Sequence, residues 1–367
     1  MIIDCQLLLR PIRRWFIRCR IKIKGRRKNI FLVPPLLVAV LVLWPTFWWF
    51  AMESSKALMP PPPPDQPLQH LRRNRSLGHY LKHIQVLLEP SSPCGSIDEI
   101  PLIIMVSSAP PRFEQRQAVR ATWAKYQPTF FLLGLYGEHV DSQLVDNYIE
   151  AKQYGDLIVF DFRDHYQNLT LKTALMMQWT MEKCPQVQFM FKTDDDVLVN
   201  PWTLRRVLTQ NVDAQLLGYS KNDTYLHREE YNKWYVPRWL CHEDKVPKYL
   251  SGTGYVINGD YLEQIMKMAY QVPLINLEDV YFTYLVAHKH LGLKLTHDKR
   301  LSPTKPWLKL SCMYWGLASA HSLSPREMKL AWAQLEGLVD GYNNTKTVCS
   351  YFNSIVGDYR DFAMSFE

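Results

Sequence analysis

Four apolar runs, separated by stretches of helix length, constrain this fold more than anything else in the sequence. Residues 101–107, 130–135, 156–160 and 187–191 are short and rich in β-branched or aromatic side chains. Unbroken hydrophobic runs of that length read as strands buried on both faces. The segments between them, 112–126, 142–154 and 170–182, predict helices. Strand and helix in alternation make an α/β domain, a mostly parallel central sheet flanked on both faces by helices. Farther on, 202–211 predicts a helix, 215–219 a strand and 225–248 an irregular aromatic segment. A strand over 255–258 and helices over 260–270 and 278–291 complete the pattern, with no internal repeat.

The fourth run ends abruptly in Asp194-Asp195-Asp196. Adjacent carboxylates repel one another and need water or a cation. In an extended chain Asp194 and Asp196 project to one side and Asp195 to the other. Two carboxylates so spaced suit a hard divalent ion such as Mg²⁺ or Mn²⁺, which keeps positions open for phosphate oxygens. Ligands of open α/β sheets bind beyond the carboxyl ends of strands, where these acids lie. A bare Asp-x-Asp is more often a solvated turn or a cap for a helix beginning near Pro201. The apolar strand ahead of it, and companion motifs elsewhere, reverse that balance here.

A net charge of +8 would invite nucleic acid, but its distribution argues against that partner. Residues 1–29 hold ten of the 43 basic residues and one of the 35 acidic ones, and residues 30–52 carry no charge. The chain from Glu53 onward is left with 33 basic against 34 acidic residues, so no nucleic-acid partner is expected. The 23 residues 30–52 would span about 34 Å as a helix, enough to cross a bilayer. Trp44, Phe47, Trp48, Trp49 and Phe50 crowd one end as an interfacial belt, and Pro34, Pro35 and Pro45 predict a kink. A cleaved signal peptide competes, but its apolar core is shorter and ends at small residues, which this stretch lacks. The basic flank keeps the N-terminus cytosolic. The expected order is therefore a cytosolic tail 1–29, a type II signal anchor 30–52, a luminal stem 53–96 and a luminal domain 97–367. The proline run 60–64 fits an extended stem. Cys94, Cys184, Cys241, Cys312 and Cys349 lie in the oxidising compartment, enough for two disulfides whose pairing the sequence leaves open. Asn74, Asn168, Asn222 and Asn343 stand in N-glycosylation tripeptides.

Three further motifs carry candidate chemistry. Ser251-Gly252-Thr253-Gly254-Tyr255 has two glycines, which suit either a tight turn or a close approach to something bulky. Leu277-Glu278-Asp279-Val280-Tyr281 opens a predicted helix. Acids there commonly complement the dipole, and the same position suits a general base facing a hydroxyl. His321, in Ser319-Ala320-His321-Ser322, is one candidate metal ligand; His288, His290 and His297 are rivals that position alone does not separate.

Together these motifs carry a resemblance. Arg116-Gln117-Ala118-Val119-Arg120-Ala121-Thr122-Trp123, Tyr154-Gly155-Asp156, Asp161 to Thr173 and Lys192-Thr193-Asp194-Asp195-Asp196-Val197 follow one another in order. Ser251 to Tyr255, Glu278-Asp279-Val280-Tyr281 and His321 ahead of Ser324-Pro325-Arg326-Glu327 complete the series. The set resembles the β1,3-galactosyl- and β1,3-N-acetylglucosaminyltransferase family, distant relatives of the Fringe enzymes, from about Cys94 to Cys349. The resemblance implies a GT-A fold, a UDP-sugar donor and Mn²⁺ (or Mg²⁺) bound by Asp196 and His321 with Asp194. It places Asp194 and Asp195 against the nucleotide with Arg116 and Arg120 of the first motif, and makes Asp279 the catalytic base. Lys233-Trp234-Tyr235-Val236-Pro237 looks more like the galactosyltransferases, so UDP-galactose is the expected donor and UDP-GlcNAc the alternative. The acceptor would be a glycan on a glycolipid or glycoprotein, and the location the Golgi membrane. Two positions depart from the pattern: Leu250 stands where many members have cysteine, and Phe282-Thr283 where small residues are usual. A membrane-anchored glycan-binding protein without catalysis and a two-carboxylate glycosidase are the rival functions.

Overall fold

The computed structural model describes residues 74–340, apart from 92, 95–100, 138–139, 231 and 307–308. It also describes Trp44, Cys349 and the segments 3–7, 17–23 and 26–32. The chain divides into two units, Met1–Pro64 and Asp65–Glu367. In the first, β1 (Ile3–Leu7), β2 (Ile17–Ile23) and β3 (Arg26–Leu32) form an antiparallel meander. Only 30–32, at the end of β3, and Trp44 belong to the expected membrane span. The rest of that span, the proline run 60–64 and Asn343 lie outside the described residues. No helix among the described residues is long and apolar enough to cross a membrane.

The second unit is built on an eight-stranded sheet. Its strands are β4 (Val86–Leu88), β5 (Ile103–Ser107), β6 (Thr129–Leu135), β7 (Leu157–Arg163), β8 (Phe189–Asp194), β10 (Leu216–Tyr225), β11 (Lys245–Asn258) and β12 (Leu295–His297). They lie in the order β12-β10-β11-β8-β5-β6-β7-β4. The four apolar runs form the parallel centre β8-β5-β6-β7. Both faces are covered, as their composition requires: along β5, Ile103 and Met105 enter one core while Ile104 and Val106 enter the other. Helices α4 (Leu169–Lys183), α6 (Leu262–Ala269) and α7 (Val280–His290) supply the first core. Helices α2 (Phe113–Ala121), α5 (Pro201–Gln210) and α9 (Pro325–Asp340) supply the second. Helices α3 (Val140–Tyr154) and α8 (Ser311–Gly316) lie outside these two sets.

The sheet is mostly parallel, with β11 and β4 as its two reversed strands. After β10 the chain loops through 226–244 without a crossover helix, so β11 returns antiparallel to β10 and to β8. Within this pair the strands extend beyond their expected apolar runs: 220–225 and 245–249 pair with each other, and Val246 and Tyr249 are buried in the first core. Residues 76–94, within the segment read as stem, fold into the domain. Helix α1 (Leu77–Leu81) buries Leu77 and Leu81, β4 pairs antiparallel with β7, and Cys94 is disulfide-bonded to Cys184. Elements of five and three residues show no periodicity in the sequence and owe their form to the contacts they make.

A small second sheet positions chemistry. Strands β9 (Leu198–Val199) and β14 (Ser319–Ala320) pair antiparallel, with β13 (Leu301–Ser302) parallel to β14. Ala320 lies opposite Leu198, and the Leu323 amide donates to the Asp196 carbonyl at 2.9 Å. His321 is thereby carried to the acids.

Candidate active site

Among the central strands the order reverses between β5 and β8, and the first parallel strand and the acid-tipped strand are neighbours there. Such a switch point opens a crevice beyond the strand ends. Asp195 turns into the protein there, 2% exposed. It accepts from Ser108 Oγ, just past β5, at 2.7 Å and from Arg112 Nε at 2.8 Å. Asp194 instead lines the cleft, and Asp196 is partly exposed beside it. Ligand atoms of Asp194, Asp196 and His321 all lie within 4.8 Å of one another, and no other such trio of His, Cys, Asp or Glu occurs among the described residues.

His321 Nε2 lies 3.4 Å from Asp196 Oδ1. Its Nδ1 is 3.1 Å from the Pro303 carbonyl and 2.8 Å from Ser322 Oγ, so the ring is held by its far side. Ser322 has φ 66°, the left-handed turn that swings the chain away after the histidine. Burial raises the pKa of Asp196, the imidazole works against it, and Asp194 and Asp195 add to the rise. Two carboxylate oxygens and an imidazole nitrogen in so small a space fit a divalent cation of the Mn²⁺ type.

Asp279 caps α7 from the other wall. Its Oδ1 accepts from the Val280 amide at 2.9 Å and its Oδ2 from the Gly252 amide at 3.0 Å. Burial raises its pKa, and the two amide bonds and Lys192 oppose that rise. The glycine question resolves in favour of close approach. Gly252 lies inside the continuous strand β11, and a Cβ there would sit 3.1 Å from Asp279 Oδ2 and 3.2 Å from Asp279 Cβ. The two positions that depart from the family pattern meet each other here. The Leu250 amide donates to Thr283 Oγ1 at 3.0 Å, and that hydroxyl donates to the Asp279 carbonyl at 2.6 Å.

Asp194, His321 and Asp279 line one cleft of about 310 Å³ with Tyr166, Lys233 and Trp234. A larger cavity, about 550 Å³, opens at the opposite ends of β5 and β8. Its walls, among them Leu102, Phe189 and Leu204, include no acid and no histidine, so size does not mark the site.

The cleft combines an acid–imidazole trio, a capped carboxylate and exposed aromatics, the equipment of sugar-nucleotide chemistry. Comparison with known proteins agrees. Residues 114–299 match the Galactosyltransferase family. Human β-1,3-galactosyltransferase 5 is 32% identical over 269 residues, covering 70% of this chain and 85% of the relative. Mouse β-1,3-galactosyltransferase 1 is 34% identical over 242 residues, covering 63% and 72%. The chain belongs to the β1,3-galactosyltransferase family. A solved glycosyltransferase involved in glycosylation of the major capsid of PBCV-1 aligns over 64% of this chain at 14% identity. Its TM-score of 0.32 is too low to bear on fold or function.

Membership makes this galactosyltransferase-family chain a hexosyltransferase with a UDP-sugar donor and a glycan acceptor. Not every residue expected at its site faces the cleft. Arg116 is 1% exposed and spends its guanidinium on Glu150, at 2.7 and 2.6 Å, and on Ser108 Oγ at 3.1 Å. Arg120 bonds Asp156 at 2.7 Å twice and lies 2.7 Å from Glu150. Both arginines brace the back of the switch point, Arg116 reaching Asp195 only through Ser108. Of the rival histidines, His288 and His290 hold backbone carbonyls, and His297 accepts from the Ser220 amide. Asn74 and Asn222 are exposed, whereas Asn168 Nδ2 donates to the Arg163 carbonyl at 2.8 Å and its tripeptide partner Thr170 is buried. Cys312 pairs with Cys349, and Cys241 is a free cysteine.

Sequence reasoning gave no role to Arg112, Ser108, Tyr166 or Lys192. Lys192 had a readable signal: one cation in a run otherwise too apolar to face water must be buried and paired. Its side chain is 3% exposed, 3.1 Å from Asp194 and 3.5 Å from Glu278. Burial opposes its charge, but the carboxylates of Asp194 and Glu278 prevail and its pKa is raised.

Proposed function

We propose that this protein is a metal-dependent inverting enzyme that moves galactose from UDP-galactose to a glycan hydroxyl in β1,3 linkage. The observation that carries the proposal is the convergence of Asp194, His321 and Asp279 on a single cleft at the switch point of the sheet. Asp194, Asp196 and His321 would hold Mn²⁺ (or Mg²⁺), which when bound supplies positive charge against the diphosphate of the departing UDP. Asp195 shapes the loop from below through Ser108 and Arg112. Asp279 takes the proton of the acceptor hydroxyl as that oxygen attacks the anomeric carbon. Its Oδ2 and Oδ1 are fixed by two amides, and its raised pKa makes it a stronger base than an ordinary aspartate. UDP-sugars are α-linked, so one displacement gives the β product.

Exposed Tyr166 and Trp234 in the same cleft offer faces for a sugar ring. The basic tail, apolar span and proline run support a type II Golgi enzyme with a luminal catalytic domain, acting on glycolipid or glycoprotein glycans. The exposed acceptor tripeptides at Asn74 and Asn222 accord with that placement. UDP-GlcNAc is the alternative donor. The deciding experiment offers UDP-galactose and UDP-GlcNAc with a panel of glycan acceptors, followed by linkage analysis. Galactose in β1,3 linkage supports the proposal; turnover of UDP-GlcNAc alone replaces the donor, and turnover of neither favours a glycan-binding protein.

A further inference from the structure

Beneath the cleft floor one buried ammonium touches both halves of the machinery. Lys192 Nζ donates to Asp194 Oδ1 at 3.1 Å and to the Gly252 carbonyl at 2.6 Å. The amide of that same Gly252 donates to Asp279 Oδ2 at 3.0 Å. Glu278, beside Asp279, completes the surround: its Oε2 is 3.5 Å from Lys192 Nζ and its Oε1 accepts from Tyr255 OH at 2.5 Å. Lys192 and Tyr255 are themselves register partners across β8 and β11. The result is a chain of bonds running from Asp194, through the ammonium and the two peptide groups that flank the Gly252 Cα, to Asp279.

We propose that Lys192 is the positioning residue that couples the two, fixing the Asp194 carboxylate on the cation side and the Gly252 peptide on the base side. The proposal rests on the roles given above to Asp194 and Asp279. Three features single out Lys192 over a merely neutralising cation. First, its shorter bond goes to a neutral carbonyl, which needs no countercharge and gains only orientation. Second, the held peptide belongs to Gly252, the position where even a methyl group would crowd Asp279. Third, Asp194 is partly exposed while the ammonium is not, so the bond restrains a carboxylate that would otherwise sample several rotamers. Donors of this kind behind a ligand typically hold 10–100-fold of cation affinity or activity.

The test uses the full chain in detergent, with Lys192→Met and the double variant Lys192→Met/Glu278→Gln. The double variant removes the carboxylate most exposed to an unpaired buried charge, and so separates loss of positioning from failure to fold. Three quantities are measured: UDP affinity in Mn²⁺ and in EDTA, kcat and KM for transfer, and hydrogen exchange at the Gly252 amide. The expected result in the double variant is about 10–100-fold weaker Mn²⁺-dependent UDP binding and a similar fall in kcat. Gly252 should exchange faster while protection in β5 and β6 stays at the wild-type level. A folded variant with wild-type UDP affinity, kcat and Gly252 exchange overturns the proposal, as does one that only loses thermal stability. If the wild type binds UDP equally in Mn²⁺ and EDTA, the functional assignment fails. The role given to Lys192 falls with it, and faster Gly252 exchange in the variant would then report a structural tether only.

Discussion

At the scale of single residues, the account turns on Asp279 and on what keeps it in place. Asp279→Asn preserves shape but can accept from only one of the two amides, and it cannot take a proton. Transfer should fall by about 10²–10⁴-fold, with UDP affinity close to wild type in a direct binding measurement. Burial raises the pKa of Asp279, so its basic form is lost as pH falls through a value above the ordinary aspartate range. The acid limb of kcat/KM should therefore lie above pH ~4. Gly252→Ala places a methyl 3.1 Å from Asp279 Oδ2 without any backbone strain, since Gly252 needs no left-handed conformation. A displacement of a few tenths of an ångström should lower kcat about tenfold while the melting temperature stays nearly unchanged, which paired kinetics and calorimetry would check. The acids, Asp279 and His321 were legible because several unusual residues recur together. Arg112 was not singled out, because its partner Asp195 lies eighty-three residues away and leaves no local mark.

Among elements, the parallel centre could be read directly: runs with no wet face must lie between two layers. The antiparallel β11 could not, since charged and small residues interrupt 245–254 and its buried members Val246, Tyr249 and Leu250 form no continuous run. The tiny strands β9, β13 and β14 escaped because two residues each are too few to show a period, although they bring His321 to Asp196. Behind them stands Asn200, 2% exposed, which caps α5 by accepting from the Thr203 amide at 3.1 Å. Its Nδ2 donates to the carbonyls of Tyr314 and Trp315, each at 3.3 Å, joining α5 to α8. Asn200→Ala should cost about 2 kcal/mol, one part cap and one part carbonyls left without a donor. The denaturation midpoint measures it, and an unchanged midpoint would show that α8 does not depend on this link.

For the whole molecule, the segregation of charge was the most useful compositional fact, because it moved the excess of basic residues out of the domain that carries the site. The boundary of that domain was harder to place. Residues 76–94 look like tether in sequence, yet Cys94–Cys184 ties them to α4 across a separation of 90 residues. Cys94→Ser releases that closure and should lower stability by about 2–5 kcal/mol, seen as a lower melting temperature, with kcat retained below the transition. The central claim is that a divalent cation held by Asp194, Asp196 and His321 organises the donor opposite Asp279. Its most direct test is UDP binding measured by calorimetry in Mn²⁺ and in EDTA, for the wild type and for Asp196→Ala. The account predicts tight binding only in wild type with Mn²⁺, lost on chelation and restored when the ion returns. Equal affinity in EDTA, or in the variant, would contradict it.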